Sequence, residues 1–129
     1  MNNPSHDDQP EILVLDGNDR NAELLREFLA TEGYAPVVVT DLELADEAIT
    51  HVGTFSCAII DVDRLGSPVW PYCEELSEHD VPFIVLSGVQ NWSLQRESHE
   101  HGASEFIDKP IPKRELRSLI QSTINSYTS

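Results

Sequence analysis

Four polar side chains follow predicted strands in this sequence, each at or just after the point where a strand ends. They are Asp16 after residues 12–15, Asp61 after 57–60, Ser87 after 83–86 and Lys109 after 103–107. Carboxylates act as nucleophiles or as ligands of hard cations, whereas an ammonium and a hydroxyl stabilise a neighbouring anion. It is improbable that two acids, a hydroxyl and a lysine reach one sheet edge by chance, so together they predict a single reactive site.

Asp61 ends the segment around which the rest of the chain is organised. The run Cys57–Ile60 is too short for a useful helix and contains two isoleucines, so it predicts a strand buried on both faces. A carboxylate at the carboxyl end of such a strand lies where open α/β sheets bind their ligands. Taken alone, Asp61 is equally compatible with a turn residue that ends the strand, and the neighbouring segments decide between the two.

Five predicted strands alternate with five predicted helices. We expect strands over residues 11–16, 36–40, 55–61, 82–87 and 103–107. The first helix begins at a cap, Asn18 or Asp19, and ends before Gly33, and the second runs from Asp41 to Val52. The third helix begins at a cap at Ser67 or, because Pro71 also belongs to a first turn, later, and it ends near Ser77. The last two helices are expected over residues 91–101 and after 110. This alternation predicts a doubly wound α/β domain over residues 11–127, preceded by a disordered tail over 1–10.

The chain is strongly acidic. Among its 129 residues, 23 are acidic and 8 are basic, which gives a formal net charge of −15. This charge argues against direct binding to nucleic acid or to an anionic membrane, and no apolar run is long enough to span a bilayer. The two cysteines, Cys57 and Cys73, do not make a disulfide framework. We therefore expect a cytoplasmic protein. The excess of acidic residues over lysine predicts a halophile, because the high salt inside such a cell screens the repulsion between the acidic side chains.

The sequence resembles the receiver domain of two-component response regulators over about residues 11–127. The resemblance rests on the segments Ile12–Asp16, Cys57–Asp61, Pro82–Gly88 and Gly102–Pro110. The last of these, a strand followed by Lys-Pro, is the most specific. The resemblance implies a flavodoxin-like fold whose five parallel strands lie in the order 2-1-3-4-5.

The resemblance also implies a reaction. Asp61 would accept a phosphoryl group from the phosphohistidine of a sensor histidine kinase or a phosphotransfer protein and form an acyl phosphate. Lys109 and Ser87 would each bind a phosphoryl oxygen. Asp16, Asp61 and Asp63, the last through its backbone carbonyl, would hold Mg²⁺. Such a domain is a phosphoryl acceptor, not an enzyme that turns over.

Gly17 departs from the family pattern, because the family ends its first strand with two adjacent acids. The second acid normally contacts the metal, so Asp19 or the side chain of Asp63 would have to replace it. An acid at position 63 would also repel a phosphoryl group unless a metal lay between them. These departures keep open a second hypothesis, a protein-interaction module of the same fold without efficient phosphorylation.

A third hypothesis comes from another class of protein. A haloacid-dehalogenase-like phosphatase also places two acids, spaced like Asp61 and Asp63, after a strand, with the first as nucleophile and the second as general acid. That motif normally opens the catalytic domain, and no later acidic metal-binding motif follows Lys109. The receiver domain is therefore favoured over the phosphatase.

The sequence shows no output domain after the fifth helix, so we expect any signal to leave by contact with a target protein. The resemblance implies that the target binds the face formed by helix 4, strand 5 and helix 5. Trp92, His101 and Phe106 lie in or near those elements. Trp92 is equally compatible with packing in the core.

Overall fold

The computed structural model describes residues 9–50, 52–89 and 92–128, and within these ranges five strands alternate with five α-helices. The strands are β1 Glu11–Asp16, β2 Ala35–Val39, β3 Phe55–Asp61, β4 Phe83–Ser87 and β5 Glu105–Asp108. The helices are α1 Asp19–Thr31, α2 Ala45–Ile49, α3 Trp70–Glu78, α4 Trp92–Glu100 and α5 Lys113–Thr128. Of the predicted disordered tail, residues 1–8 lie outside the described residues, as does the predicted start of the fourth helix at Asn91.

The five strands form one parallel sheet in the order β2-β1-β3-β4-β5. This confirms the predicted doubly wound fold and the strand order 2-1-3-4-5. The three central strands are almost wholly buried because helices cover both faces of the sheet. Pro36 lies in the edge strand β2, where a residue without a backbone N–H is tolerated.

The alternation of side chains along each strand divides the interior into two apolar layers. One layer packs β1, β3 and β4 against α2 and α3, and the other packs the same strands against α1 and α5. The first layer includes Leu13, Leu15, Ala58, Ile60, Val85, Trp70, Cys73 and Leu76. The second includes Ile12, Val14, Ile59, Ile84, Leu25, Phe28, Leu29, Leu116 and Ile120. Strand ends clamped between two such layers have little freedom to move.

Helix α1 begins and ends where the sequence predicts. The side chain of Asn18 caps it by accepting a hydrogen bond from the Asn21 N–H at 2.9 Å. Gly33 follows the last turn with a φ of +92°, a left-handed conformation that glycine adopts without steric cost. The start of α1 is therefore fixed directly after β1, beside the end of β3.

The prediction of one continuous second helix from Asp41 to Val52 is wrong. Asp41 does cap the segment, through its side chain and the Glu43 N–H, but the structure begins with a 3₁₀ turn over Leu42–Leu44. The α-helix that follows covers only Ala45–Ile49, and a second 3₁₀ turn covers Val52–Thr54. The β-branched and glycine residues in this last turn are poor helix formers. The helix therefore ends early.

The third helix starts late, at Trp70, with Pro71 in its first turn as predicted. Ser67 does not cap it, because Gly66 takes the cap position of a 3₁₀ turn over Ser67–Val69 that leads into α3. Gly66 has a φ of +69°, so the chain turns there.

Within the described ranges, no helix combines the length and the apolarity that crossing a bilayer would demand.

Candidate functional site

The sheet register brings the predicted site residues to one edge. Asp16 pairs with Asp61 across β1 and β3, and Ser87 at the end of β4 pairs with the residue that precedes Lys109. The Lys109 N–H also donates to the Ser87 carbonyl at 2.8 Å. The side chains of Asp16, Asp61 and Ser87 are buried, with 1%, 3% and 0% of their residue surface exposed. The four side chains predicted from the strand ends therefore lie together.

Lys109 joins two carboxylates. Its Nζ lies 2.6 Å from Asp61 Oδ2 and 2.8 Å from Asp63 Oδ2. Burial opposes the charge of this ammonium, but the hydrogen bonds and charges of the two aspartates outweigh burial and raise the pKa of Lys109. The lysine is therefore fully protonated at neutral pH and supplies a fixed positive charge to Asp61.

Three hydrogen-bond donors engage the carboxylate of Asp63. Its Oδ1 accepts a hydrogen bond from Ser87 Oγ at 2.6 Å, and its Oδ2 accepts from the Gly88 N–H at 2.8 Å as well as from Lys109. Burial would raise the pKa of Asp63, but these three donors together hold it below its usual range. The carboxylate of Asp63 is thus ionised and engaged by donors that are suited to an anion.

Asp16 is held by two asparagines at the start of α1. The Asn18 N–H donates to its Oδ1 at 2.9 Å and Asn21 Nδ2 to its Oδ2 at 2.5 Å. Asn21 Nδ2 also lies 3.4 Å from Asp61 Oδ2, so one amide reaches both carboxylates. Burial and the neighbouring charge of Asp61 raise the pKa of Asp16, against the two hydrogen bonds. A cation placed between Asp16 and Asp61 would relieve this repulsion.

A pocket of about 330 Å³ opens beside Asp16 and Asp61. Three residues that line it were missed by sequence reasoning: Asn21, Arg20 and Arg64. Asn21 was detectable, because it lies three residues after the capping Asn18 and therefore one helical turn along the same face. The two arginines gave no local signal, since only the path of the chain in the fold brings them to the pocket.

The two carboxylates beside this pocket are suitable ligands for Mg²⁺. Mg²⁺ in proteins is commonly held by one or two carboxylates and keeps several waters. At about 30 Å³ per water molecule, the pocket has room for a hydrated ion. Across the described residues, no three His, Cys, Asp or Glu side chains group as a metal cluster. Asp16 and Asp61 with water are the ligands that the structure supports, and the predicted Asp63 carbonyl ligand stays a prediction.

Neither candidate for the missing acid lines the pocket beside Asp16 and Asp61. The Asp63 side chain is bound by Lys109, and Asp19 is exposed and lines a separate groove with Gly17 and Arg64. The loop after β3 fills the space next to Gly17. A Cβ atom at that position would lie 2.9 Å from Arg64 Cβ and 3.2 Å from Leu65 Cδ2. The position of the second acid is therefore sterically closed here.

Comparison with known proteins identifies the family. The family model of the response regulator receiver domain matches residues 12–121. The chain belongs to the response regulator receiver domain family. Its receiver fold is also seen in a two-component response regulator from Clostridium difficile, with a TM-score of 0.83 at 17% identity over 94% of this chain and 100% of that one.

Curated relatives share the receiver domain with this chain. It is 28% identical over 111 residues to the transcriptional regulatory protein ResD of Bacillus subtilis, and the aligned region covers 84% of this chain and 45% of ResD. It is 23% identical over 118 residues to the heme response regulator HssR of Staphylococcus saprophyticus, covering 89% of this chain and 51% of HssR. The chain spans about half the length of the first curated relatives it matches.

The residues predicted to mark the partner surface of the receiver domain fall in different environments. Trp92 at the start of α4 is 82% exposed, so it does not pack in the core. His101 stacks on Trp70, with ring centroids 4.9 Å apart, and its Nδ1 lies 2.8 Å from a carboxylate oxygen of Glu74. Phe106 in β5 is half-buried against the first apolar layer. Of these three residues, Trp92 alone exposes most of its surface to solvent.

Proposed function

We propose that this receiver domain accepts a phosphoryl group on Asp61 from the phosphohistidine of a sensor histidine kinase or of a phosphotransfer protein. The observation that carries the proposal is the position of Asp61. Its carboxylate lies at the end of the central strand, lines an open pocket and is 2.6 Å from the Lys109 ammonium. A nucleophilic carboxylate beside a fixed cation and an accessible pocket is the arrangement that phosphoryl transfer demands.

In the proposed step, an oxygen of Asp61 forms a bond to phosphorus while the P–N bond of the phosphohistidine breaks. The electron pair of that bond stays on the imidazole nitrogen, which then takes up a proton. Lys109 offsets the repulsion between the carboxylate and the incoming anion. Two unit charges about 4 Å apart interact by about 4 kcal/mol at an effective dielectric of 20. That energy corresponds to nearly three decades in rate, so Lys109 is a principal determinant of the reaction.

Asp16 and Asp61 would hold Mg²⁺ in the pocket. When bound, the ion neutralises charge on the phosphoryl oxygens and orients them toward Asp61. The product stays attached to Asp61 as an acyl phosphate. The domain therefore acts as a stoichiometric acceptor with possible hydrolysis of its own adduct, and not as an enzyme that turns over a substrate.

The signal would leave the domain through the face formed by α4, β5 and α5. This part of the proposal rests on the family resemblance together with the exposure of Trp92, which offers a large rigid apolar anchor at one end of that face. A target protein with an apolar pocket for an indole ring would fit such an anchor.

A second candidate function is a protein-interaction module that is not phosphorylated efficiently. Two observations favour it. The position of the second acid is closed by Arg64 and Leu65, and the donors expected to bind the phosphoryl group are already bound to Asp63. Both observations predict a slow reaction, and the rate of adduct formation therefore discriminates between the two functions.

The test is incubation of the folded protein with acetyl phosphate and Mg²⁺, followed by intact mass measurement. We expect a mass gain of one HPO₃ unit that is absent in Asp61→Asn and absent without Mg²⁺. Lys109→Ala should slow the reaction by about a hundredfold or more. Lys113→Ala, which removes an exposed lysine at the start of α5, is the matched control and should react like the wild type. No adduct on wild-type protein whose fold is verified by thermal melting would favour the second candidate.

A further inference from the structure

Three donors of different chemical kinds converge on the carboxylate of Asp63. Lys109 Nζ and the Gly88 N–H each lie 2.8 Å from Oδ2, and Ser87 Oγ lies 2.6 Å from Oδ1. An ammonium, a backbone N–H and a hydroxyl directed at two oxygens form an anion site. This anion site is therefore fully built, and a side chain of the same domain fills it.

The anion site adjoins the acceptor carboxylate. Lys109 Nζ contacts Asp61 Oδ2 at 2.6 Å as well as Asp63, and the Asp63 N–H donates to Asp61 Oδ1 at 3.1 Å. Since one ammonium contacts both carboxylates, a group bonded to Asp61 on the lysine side would meet the same donors that now hold Asp63. The two anions would compete for one set of hydrogen bonds.

We infer that the Asp63 carboxylate occupies the phosphoryl site while Asp61 is unmodified. When a phosphoryl group is bonded to Asp61, the two anions compete for the same donors. The inference rests on the proposed function in that it takes Asp61 as the acceptor. It assigns Asp63 to the regulation of the site and not to metal binding through its side chain.

The surroundings of Asp63 allow this exchange. About 24% of its side-chain surface is exposed, so the carboxylate can turn outward into solvent without crossing the core. Ser87, by contrast, is fully buried, and its Oγ also accepts from the Val89 N–H at 3.0 Å. The Ser87 donor is therefore fixed by the fold, whereas the Asp63 carboxylate can leave it. While it stays, it holds Ser87 and the Gly88 N–H in an anion-bound arrangement before any phosphorylation.

The first experiment measures anion binding directly. Protein labelled with ¹⁵N-glycine is titrated with inorganic phosphate, and the Gly88 amide resonance is followed in wild type, Asp63→Ala, Asp63→Asn and Asp108→Asn. Asp108→Asn is the matched control, because it removes an exposed acid next to Lys109 without touching the anion site. We expect Gly88 to respond at a phosphate concentration at least tenfold lower in Asp63→Ala than in wild type or in Asp108→Asn.

The second experiment measures the rate of adduct formation with acetyl phosphate and Mg²⁺ in the same four proteins. Removal of the competing charge should speed the reaction at least tenfold in Asp63→Ala and in Asp63→Asn, and leave Asp108→Asn unchanged. Asp63→Asn keeps the shape and the acceptor oxygen of the side chain, so it tests the charge if the alanine variant does not fold. Thermal melting verifies the fold of each variant.

Two results separate this inference from the proposed function. If phosphate affinity at Gly88 and the adduct rate in both Asp63 variants stay within twofold of wild type, Asp63 does not occupy the site and the inference is overturned. The other result is that phosphate binds at Gly88 at least tenfold more tightly in Asp63→Ala than in the wild type, but none of the four proteins forms an adduct. The acceptor role of Asp61 then fails. In that case Asp63 still stands as the occupant of an anion site.

Discussion

Replacement of Gly17 by alanine tests whether the loop after β3 closes the position of the missing acid. The added Cβ would lie 2.9 Å from Arg64 Cβ and 3.2 Å from Leu65 Cδ2. Arg64 Cβ is attached to the backbone, so it cannot give way unless the loop moves. Overpacking of this kind costs about 1–3 kcal/mol. Replacing glycine also lowers the conformational entropy of the unfolded chain, which stabilises the folded protein by about 0.4–1 kcal/mol. The net destabilisation is therefore on the order of 1–2 kcal/mol.

Thermal and urea unfolding measure this free energy. For a domain of this size 1 kcal/mol shifts Tm by about 4 °C, so Gly17→Ala should melt about 4–8 °C below the wild type. Gly53→Ala is the matched control, because a Cβ at Gly53 would meet no atom within 4 Å. The same substitution there should leave Tm unchanged or raise it slightly.

A double-mutant cycle locates the clash. Arg64→Gly removes the closest atom, so Gly17→Ala should cost at least about 1 kcal/mol less in that background than in the wild type. The reasoning is refuted if Gly17→Ala is as stable as Gly53→Ala, or if its cost is independent of Arg64. Gly17→Asp carries the same Cβ and should therefore lose at least as much stability in the absence of metal, whatever it gains in affinity for Mg²⁺.

Four further predictions follow from burial, backbone conformation and charge. Burial raises the pKa of Cys57 and of Cys73 to about 12, so at pH 8 only about one thiol in ten thousand is ionised and neither should react with a disulfide reagent until the protein unfolds. Rapid reaction of either thiol in the folded protein would contradict this. Gly102→Ala should lose at least about 2 kcal/mol, measured by urea unfolding, because φ is +100° and a Cβ would collide with the Ser77 side chain, whose own Cβ would lie 3.1 Å away. An unchanged midpoint would show that the turn relaxes freely. Trp92→Ala should change stability by less than about 0.5 kcal/mol, since the side chain is 82% exposed, and a Tm lowered by more than a few degrees would place the ring in the core. The net charge of −15 predicts a higher Tm in molar KCl than in dilute buffer, and a lower Tm in high salt would contradict the halophile assignment.

The positions of the strand ends were predictable because the signal is local. Each central strand is a short, continuous apolar run, and the first polar residue after it is the residue that reaches the sheet edge. That reasoning placed Asp16, Asp61 and Ser87 correctly without knowledge of the strand order. The order itself came from the resemblance, because apolar runs alone do not say which strands are neighbours.

The direction of the Asp63 side chain was beyond sequence reasoning. Asp63 lies two residues after the end of β3, in a loop whose path depends on what it packs against. Its carboxylate turns toward Lys109 because Ser87 and the Gly88 N–H lie there, and these donors lie at the end of β4 and directly after it, 24 and 25 residues away in the sequence. The same limitation hid Arg64, whose loop closes over Gly17 only because glycine leaves the space.

The distribution of charge in the site explains how one acid can be absent at position 17 while another is present at position 63. The family resemblance implies three carboxylates around one lysine, and this chain keeps three, in Asp16, Asp61 and Asp63. The third has moved from the side of Asp61 that faces the pocket to the side that faces the anion site. Lys109, at 2.6 Å from Asp61 and 2.8 Å from Asp63, compensates part of that charge without a metal. A divalent cation is left with fewer charged ligands, and the anion donors are ordered before any phosphoryl group arrives. Taken together, the departures at positions 17 and 63 place one negative charge on the anion side of Asp61 instead of on its metal side.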